Sequence, residues 1–179
     1  MKTKTRTLML TALLGFAAYF TEPAVPGPIM VKPSTEQSVK EEMKREQREK
    51  QYARAAVVAA QVYRRNGCGT DYAYSTGQMA VDSGLSPRVI AAVVFIESSC
   101  QPDAISRTHD VGLMGVNRRW GYRQDDLLNP SKNLKIGTEI LSKYVHQYGL
   151  CEGLHHYNGL GNITNSYSEK VLRAAGYAT

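Results

Sequence analysis

The chain has 179 residues, 42% of them hydrophobic and 21% charged, enough for one domain with a real core and too apolar for wholesale disorder. A net charge of +6 and an isoelectric point near 9.2 point to an anionic partner, and nucleic acid, a phospholipid surface and an acidic cell wall all qualify, so charge alone does not choose. No zinc-finger spacing or aromatic-basic RNA motif is present, which argues against nucleic acid.

Residues 1–24 read as a delivery segment. Lys2, Lys4 and Arg6 precede an apolar run from Leu8 to Phe20, the n-region and h-region of a secretory signal. As a helix that run would be roughly 21 Å long at ~1.5 Å per residue, short of the ~30 Å hydrocarbon core. It therefore reads as a cleaved signal or a weak anchor in the inner membrane, with the positive charges inside and the remainder exported to the periplasm or envelope. Pro23, Pro26, Pro28 and Pro33 make a stiff spacer,. From Ser34 the pattern becomes a charged helix of mixed sign, a solvated face rather than a nucleic-acid surface. Tyr52, Ala55, Ala56, Ala59 and Tyr63 then share one stripe, so the helix docks there. The expected division is signal or anchor over 1–24, spacer and charged helix over 25–51, and a folded domain over 52–179.

Ser86 and Pro87 open the next helix, serine as a cap and proline at the first helical position. Val89 to Ile96 are apolar without a break, the mark of a buried helix. Glu97 follows, with Pro102 as the expected stop. A carboxylate at the C-terminal end of a buried helix is pushed toward its neutral form by desolvation and by the negative end of the helix. Both raise its pKa, as a general acid near neutrality needs. The plain alternative is that Glu97 marks where the helix reaches solvent.

A short hairpin is expected around 105–118. Asn129-Pro130 caps a further helix in which Leu134, Gly137, Leu141, Tyr144, Val145 and Tyr148 form one face and Gly149 ends it,. Tyr157-Asn158-Gly159 suits a helix-ending turn, and Tyr167, Val171 and Leu172 suggest a last short helix stopped near Gly176. No long strand is evident. The three cysteines, Cys68, Cys100 and Cys151, lack metal-site spacing, so neither a metal nor a cofactor is expected. They read either as small buried hydrophobes or, in an exported chain, as one disulfide and one thiol, with the pairing open.

The run from Glu97-Ser98 through Pro102-Asp103-Ala104-Ile105-Ser106 to Gly112-Leu113-Met114 resembles the soluble lytic transglycosylase family of the lysozyme superfamily. The resemblance continues through Trp120, Asn129-Pro130, Asn133, Gly137, Ile140-Leu141, Tyr144 and Tyr157-Asn158-Gly159, covering roughly residues 78–175. It implies a mainly α, lysozyme-like domain with a glycan groove. It also implies cleavage of the bond between N-acetylmuramic acid and N-acetylglucosamine in peptidoglycan glycan strands. In that reaction one glutamate protonates the leaving oxygen, and the muramic 6-hydroxyl attacks its own anomeric carbon to give a 1,6-anhydro sugar. By position Glu97 is the acid, Ser106 polarises the reacting centre, Met114 lines the groove, and Tyr157 and Asn158 support the glutamate and the sugar. Tyr144 is expected to reach the groove.

The departures bear on binding. Gly115 stands where the family has glutamine, and Asn117 is the candidate for a replacement amide. His109-Asp110 fills a spot usually held by small residues, which makes Asp110 the candidate second carboxylate that a hydrolytic glycosidase requires; the preferred reading is a turn residue. Three functions follow: a lytic transglycosylase serving phage lysis or a secretion or conjugation apparatus, a lysozyme-type hydrolase, and a wall-binding scaffold with little turnover.

Overall fold

The computed structural model describes residues 35–159 and 166–178. The expected signal or anchor and the proline spacer lie outside them. Among the described residues no helix is long and apolar enough to cross a membrane. The domain is mainly helical: α1 (Thr35–Arg65), α2 (Ala73–Ser83), α3 (Pro87–Ser98), the strands β1 (Asp110–Val111) and β2 (Val116–Asn117), a 3-10 turn (Arg118–Trp120), α4 (Gln124–Leu127), α5 (Pro130–Tyr148), α6 (Leu150–Asn158) and α7 (Ser166–Ala175).

The charged helix and the docking stripe are one helix. Residues 35–51 of α1 are all exposed, and burial begins at Tyr52 and continues through Ala59, Ala60, Val62 and Tyr63. Surface pairs such as Lys40–Glu36 and Lys50–Glu46 lie four residues apart and support the exposed half only weakly. Docking starts where Arg48 and Tyr52 both reach Asp82 of α2, at 3.0 and 2.8 Å.

α3 is the buried centre, packed by α1, α2 and α7. Val89 to Val94 are between 0% and 1% exposed, as an all-round apolar helix requires. Ser86 holds the N-cap position without making the side-chain cap expected of it. The third helical N–H, from Val89, goes to the Ser86 carbonyl at 3.0 Å, and the serine hydroxyl lies against that of Tyr177. At the other end the helix stops at Ser98, ahead of Pro102. Ser99 (φ 50°) and Cys100 (φ 66°) turn it off through left-handed backbone.

The hairpin is antiparallel, with Asp110 opposite Asn117 and Val111 opposite Val116, and Ile105 bridges to Val111. α5 begins as expected, with the Asn129 side chain accepting from Lys132 N–H and Pro130 in the first turn. Its Asn133 is fully buried and holds the hairpin. Nδ2 donates to the carbonyls of Val111 (2.7 Å) and Leu127 (2.9 Å), while Oδ1 accepts from Met114 N–H (2.8 Å). Replacing Asn133 with leucine strands three backbone groups, so urea denaturation is expected to show a loss of about 3–5 kcal/mol. A loss below about 1 kcal/mol would mean the hairpin stands without it.

Candidate active site

Glu97 is the penultimate residue of α3, partly buried where the hairpin crosses the helix end. Two contacts fix that end. The Ser98 hydroxyl lies 2.9 Å from the carbonyls of both Val94 and Leu113, joining helix to hairpin. The cysteine pairing left open by the sequence is settled as Cys68–Cys100, with Cα atoms 6.0 Å apart. It ties the left-handed turn after Glu97 to the loop after α1, and Cys151 is an exposed free thiol.

The carboxyl group has a distinct neighbour on each oxygen. The Tyr167 hydroxyl donates to Oε1. Oε2 faces Gly115, where an added Cβ would lie 2.5 Å away. Burial raises the Glu97 pKa from 4.5 to about 7, the Asp110 charge adds to the rise, and the Tyr167 hydrogen bond opposes it. Glu97 therefore keeps a substantial protonated fraction near neutral pH while sitting at a cavity wall, the condition for a general acid,. Tyr167 and Tyr157 are both driven well above the ordinary tyrosine range, first by burial and then by the Glu97 charge, so both remain donors. Tyr157 donates to the Met114 carbonyl at 2.7 Å.

The cavity beside Glu97 is small, about 70 Å³, and also takes in Asp110, Gly115, Val116, Asn117, Arg119, Trp120, Ile140, Tyr157 and Asn158. Asp110 opens β1 instead of sitting in a turn, and it is a wall of this site. Its Oδ2 accepts from the Ser106 and Thr108 hydroxyls (2.7 and 2.5 Å), and its Oδ1 accepts from Asn117 Nδ2 (2.6 Å). Burial pushes its pKa upward, but the Thr108, Asn117 and Ser106 hydrogen bonds and the Arg119 charge outweigh that and lower it. The cavity thus pairs a carboxyl shifted toward its neutral form with one shifted toward its charged form, a division set by environment,. Among the described residues no three His, Cys, Asp or Glu side chains converge as a metal site.

Glu97, Asn117, Tyr157 and Asn158 meet at this cavity, but three expected side chains play other parts. Met114 is fully buried against Gly137 with its sulfur 3.5 Å from the Thr138 hydroxyl. It belongs to the core because the hairpin turns it inward, and only its carbonyl serves the site. Asn117, in the cavity wall, places its amide on the Thr108 carbonyl and Asp110, and its oxygen takes the Arg119 N–H, so it also fixes the hairpin. Ser106 is exposed and bound to Asp110, outside the cavity wall. Tyr144 lies in an adjoining cavity with Arg119 and Trp120.

Tyr167 was legible only as a helix residue. It reaches Glu97 across a separation of 70 residues, and no local pattern encodes that. Replacing it with phenylalanine removes the interaction that lowers the Glu97 pKa. The basic limb of the pH–rate profile is then expected to move upward, and kcat to fall about tenfold as the carboxyl loses its orientation. An unmoved basic limb would remove Tyr167 from the site.

The sequence profile described as the transglycosylase SLT domain matches residues 75–175. The endo-type membrane-bound lytic murein transglycosylase A of Salmonella paratyphi B is 30% identical over 51% of this chain and 56% of that protein. The protein of the same description from Cronobacter sakazakii is 26% identical over 48% of this chain and 53% of its own. The chain spans about half the length of the curated relatives it matches.

Proposed function

Because the chain belongs to the transglycosylase SLT domain family, we propose that it is a peptidoglycan lytic transglycosylase whose acid and base is Glu97. The observation that carries this reading is a carboxyl group raised to about 7 at a cavity wall, hydrogen-bonded by Tyr167. Glu97 protonates the glycosidic oxygen as the bond to the muramic anomeric carbon breaks. The muramic 6-hydroxyl then bonds to that carbon and returns its proton to Glu97, closing the 1,6-anhydro ring without consuming water. Tyr157 and Asn158 line the floor on which the sugar is held. Ser106 acts through Asp110.

The setting we propose is the cell envelope. A disulfide beside the acid suits an oxidising compartment,, the amino-terminal segment reads as an export signal or anchor, and the relatives are described as membrane-bound. Within the envelope, phage lysis and wall opening for a secretion or conjugation apparatus ask for the same chemistry. Mass spectrometry of digested peptidoglycan tests the reading: anhydro-muramic ends are expected, and their absence from an active digest would overturn it. A wall-binding scaffold would give no clearing in a zymogram with any variant.

One observation favours a hydrolytic branch, namely that ionised Asp110 shares the cavity with Glu97. Two carboxylates flanking a sugar are the hydrolytic arrangement. Digestion in ¹⁸O-water checks this. If the branch operates, labelled reducing ends accompany the anhydro product and Asp110→Asn removes the labelled fraction. If it does not, no label enters the muramic ends.

A further inference from the structure

Tyr167 meets Glu97 from a weak place in the fold. It is the second residue of α7, and the first turn of a helix has N–H groups without intrahelical partners, so helix ends fray. The far end of α7 is well tied: Val171, Ala174 and Ala175 are buried, and the Ala174 carbonyl accepts from Arg65 and Asn66, each at 3.0 Å. At the Tyr167 end the next residue is Ser168, 4% exposed, and its hydroxyl shares a 3.2 Å hydrogen bond with His155 Nε2 of α6. His155 stands two residues before Tyr157, whose hydroxyl anchors α6 to the hairpin at the Met114 carbonyl. The Ser168–His155 contact thus joins the helix carrying Tyr157 to the turn carrying Tyr167. Glu97 is faced by both tyrosines and by Asp110 of the hairpin.

We propose that His155 is a positioning residue for the acid: through Ser168 it holds the first turn of α7 against α6, and so keeps the Tyr167 hydroxyl on Glu97. This role rests on Glu97 being the acid. His155 does not line the cavity, which Tyr157 and Asn158 reach from the same helix, so its effect passes through α7. One hydrogen bond between neutral groups shifts a local opening equilibrium roughly two- to tenfold. That is little against the stability of the whole fold and large for a helix end.

His155→Leu removes the ring nitrogens and keeps an apolar side chain in their place. With soluble peptidoglycan strands its kcat is expected to fall about fivefold at unchanged KM, less than the loss in Tyr167→Phe. The Glu97 carboxyl resonance, followed by ¹³C NMR and assigned by its disappearance in Glu97→Gln, is expected to titrate at higher pH, because the Tyr167 hydrogen bond is what lowers it,. Added to Tyr167→Phe, the same substitution is expected to change neither quantity further. His155→Gln, whose amide nitrogen reaches the place of Nε2, is expected to restore both. An unmoved carboxyl titration, an equal further loss of kcat on top of Tyr167→Phe, or a lowered melting temperature with turnover of the folded protein unchanged would overturn the role. The titration needs no turnover, which separates this role from the reading beneath it. A shifted titration beside a wild-type protein that yields no anhydro-muramic ends sinks the transglycosylase and leaves His155 its role. Anhydro ends with an unmoved titration sink the role of His155 alone.

Discussion

Glu97→Gln is expected to lower kcat by about three orders of magnitude, within the range of about 10²–10⁴ that a positioned general acid supplies, while leaving the protein folded. Glutamine keeps the shape and can accept from Tyr167 but has no proton to give. The stability of the same variant carries a second, independent signature. The folded-state pKa of about 7 exceeds the ordinary 4.5, so the native state binds this proton more tightly than the unfolded chain does. That contribution is fully present below about pH 4.5 and is lost as pH rises through about 7. Its size is up to about 3 kcal/mol, at ~1.4 kcal/mol per pKa unit. The amide does not titrate, so above pH 7 the variant is expected to be more stable than the wild type by up to that amount, with the difference closing at pH 4. Urea denaturation at both pH values with peptidoglycan turnover in parallel checks both halves. Wild-type activity should decline above about pH 7 as the acid loses its proton. A variant that clears peptidoglycan like the wild type would dismiss Glu97 as the acid.

The second large effect is expected at Gly115. Its φ of +58° already favours glycine, and a Cβ there would meet Glu97 Oε2 at 2.5 Å and Glu97 Cβ and Cδ at 3.1 Å. In Gly115→Ala the carboxyl group must swing away, because the backbone beneath it is held by the hairpin. Misplacement of a reacting group by about 1 Å can cost about 10²-fold in rate, so kcat is expected to fall by about that factor. The left-handed alanine also destabilises the fold by about 1–2 kcal/mol. Gly67→Ala separates the two effects, since Gly67 has φ +77° and no atom within 4 Å of its added Cβ. It should show the loss of stability without the loss of turnover. Equal losses of activity in both variants would mean that strain, not contact with Glu97, is responsible. The same geometry bears on the departure noted in the sequence: with Glu97 as it is placed, a glutamine at 115 would displace the carboxyl group by its Cβ alone.

What the sequence by itself determined lay within a few turns of chain, although the Ser86 side-chain cap and the stop at Pro102 were not realised. The uninterrupted apolar run from Val89 to Ile96 made α3 the buried helix and left Glu97 at its end, so that desolvation had to raise its pKa. Pro87, Asn129-Pro130 and Gly149 set helix ends. These are local effects of backbone geometry and hydrophobic period, and they survive in any fold that uses the segments. The tertiary structure alone decided the rest. It chose Cys68 for Cys100, brought Tyr167 onto Glu97, and turned Met114 into the core against Gly137. It also placed Asp110 at the same cavity as the acid and stacked Tyr144 and His156 beside it. Each of these is a contact between different elements, fixed by how the helices and the hairpin pack together, and no residue spacing encodes it.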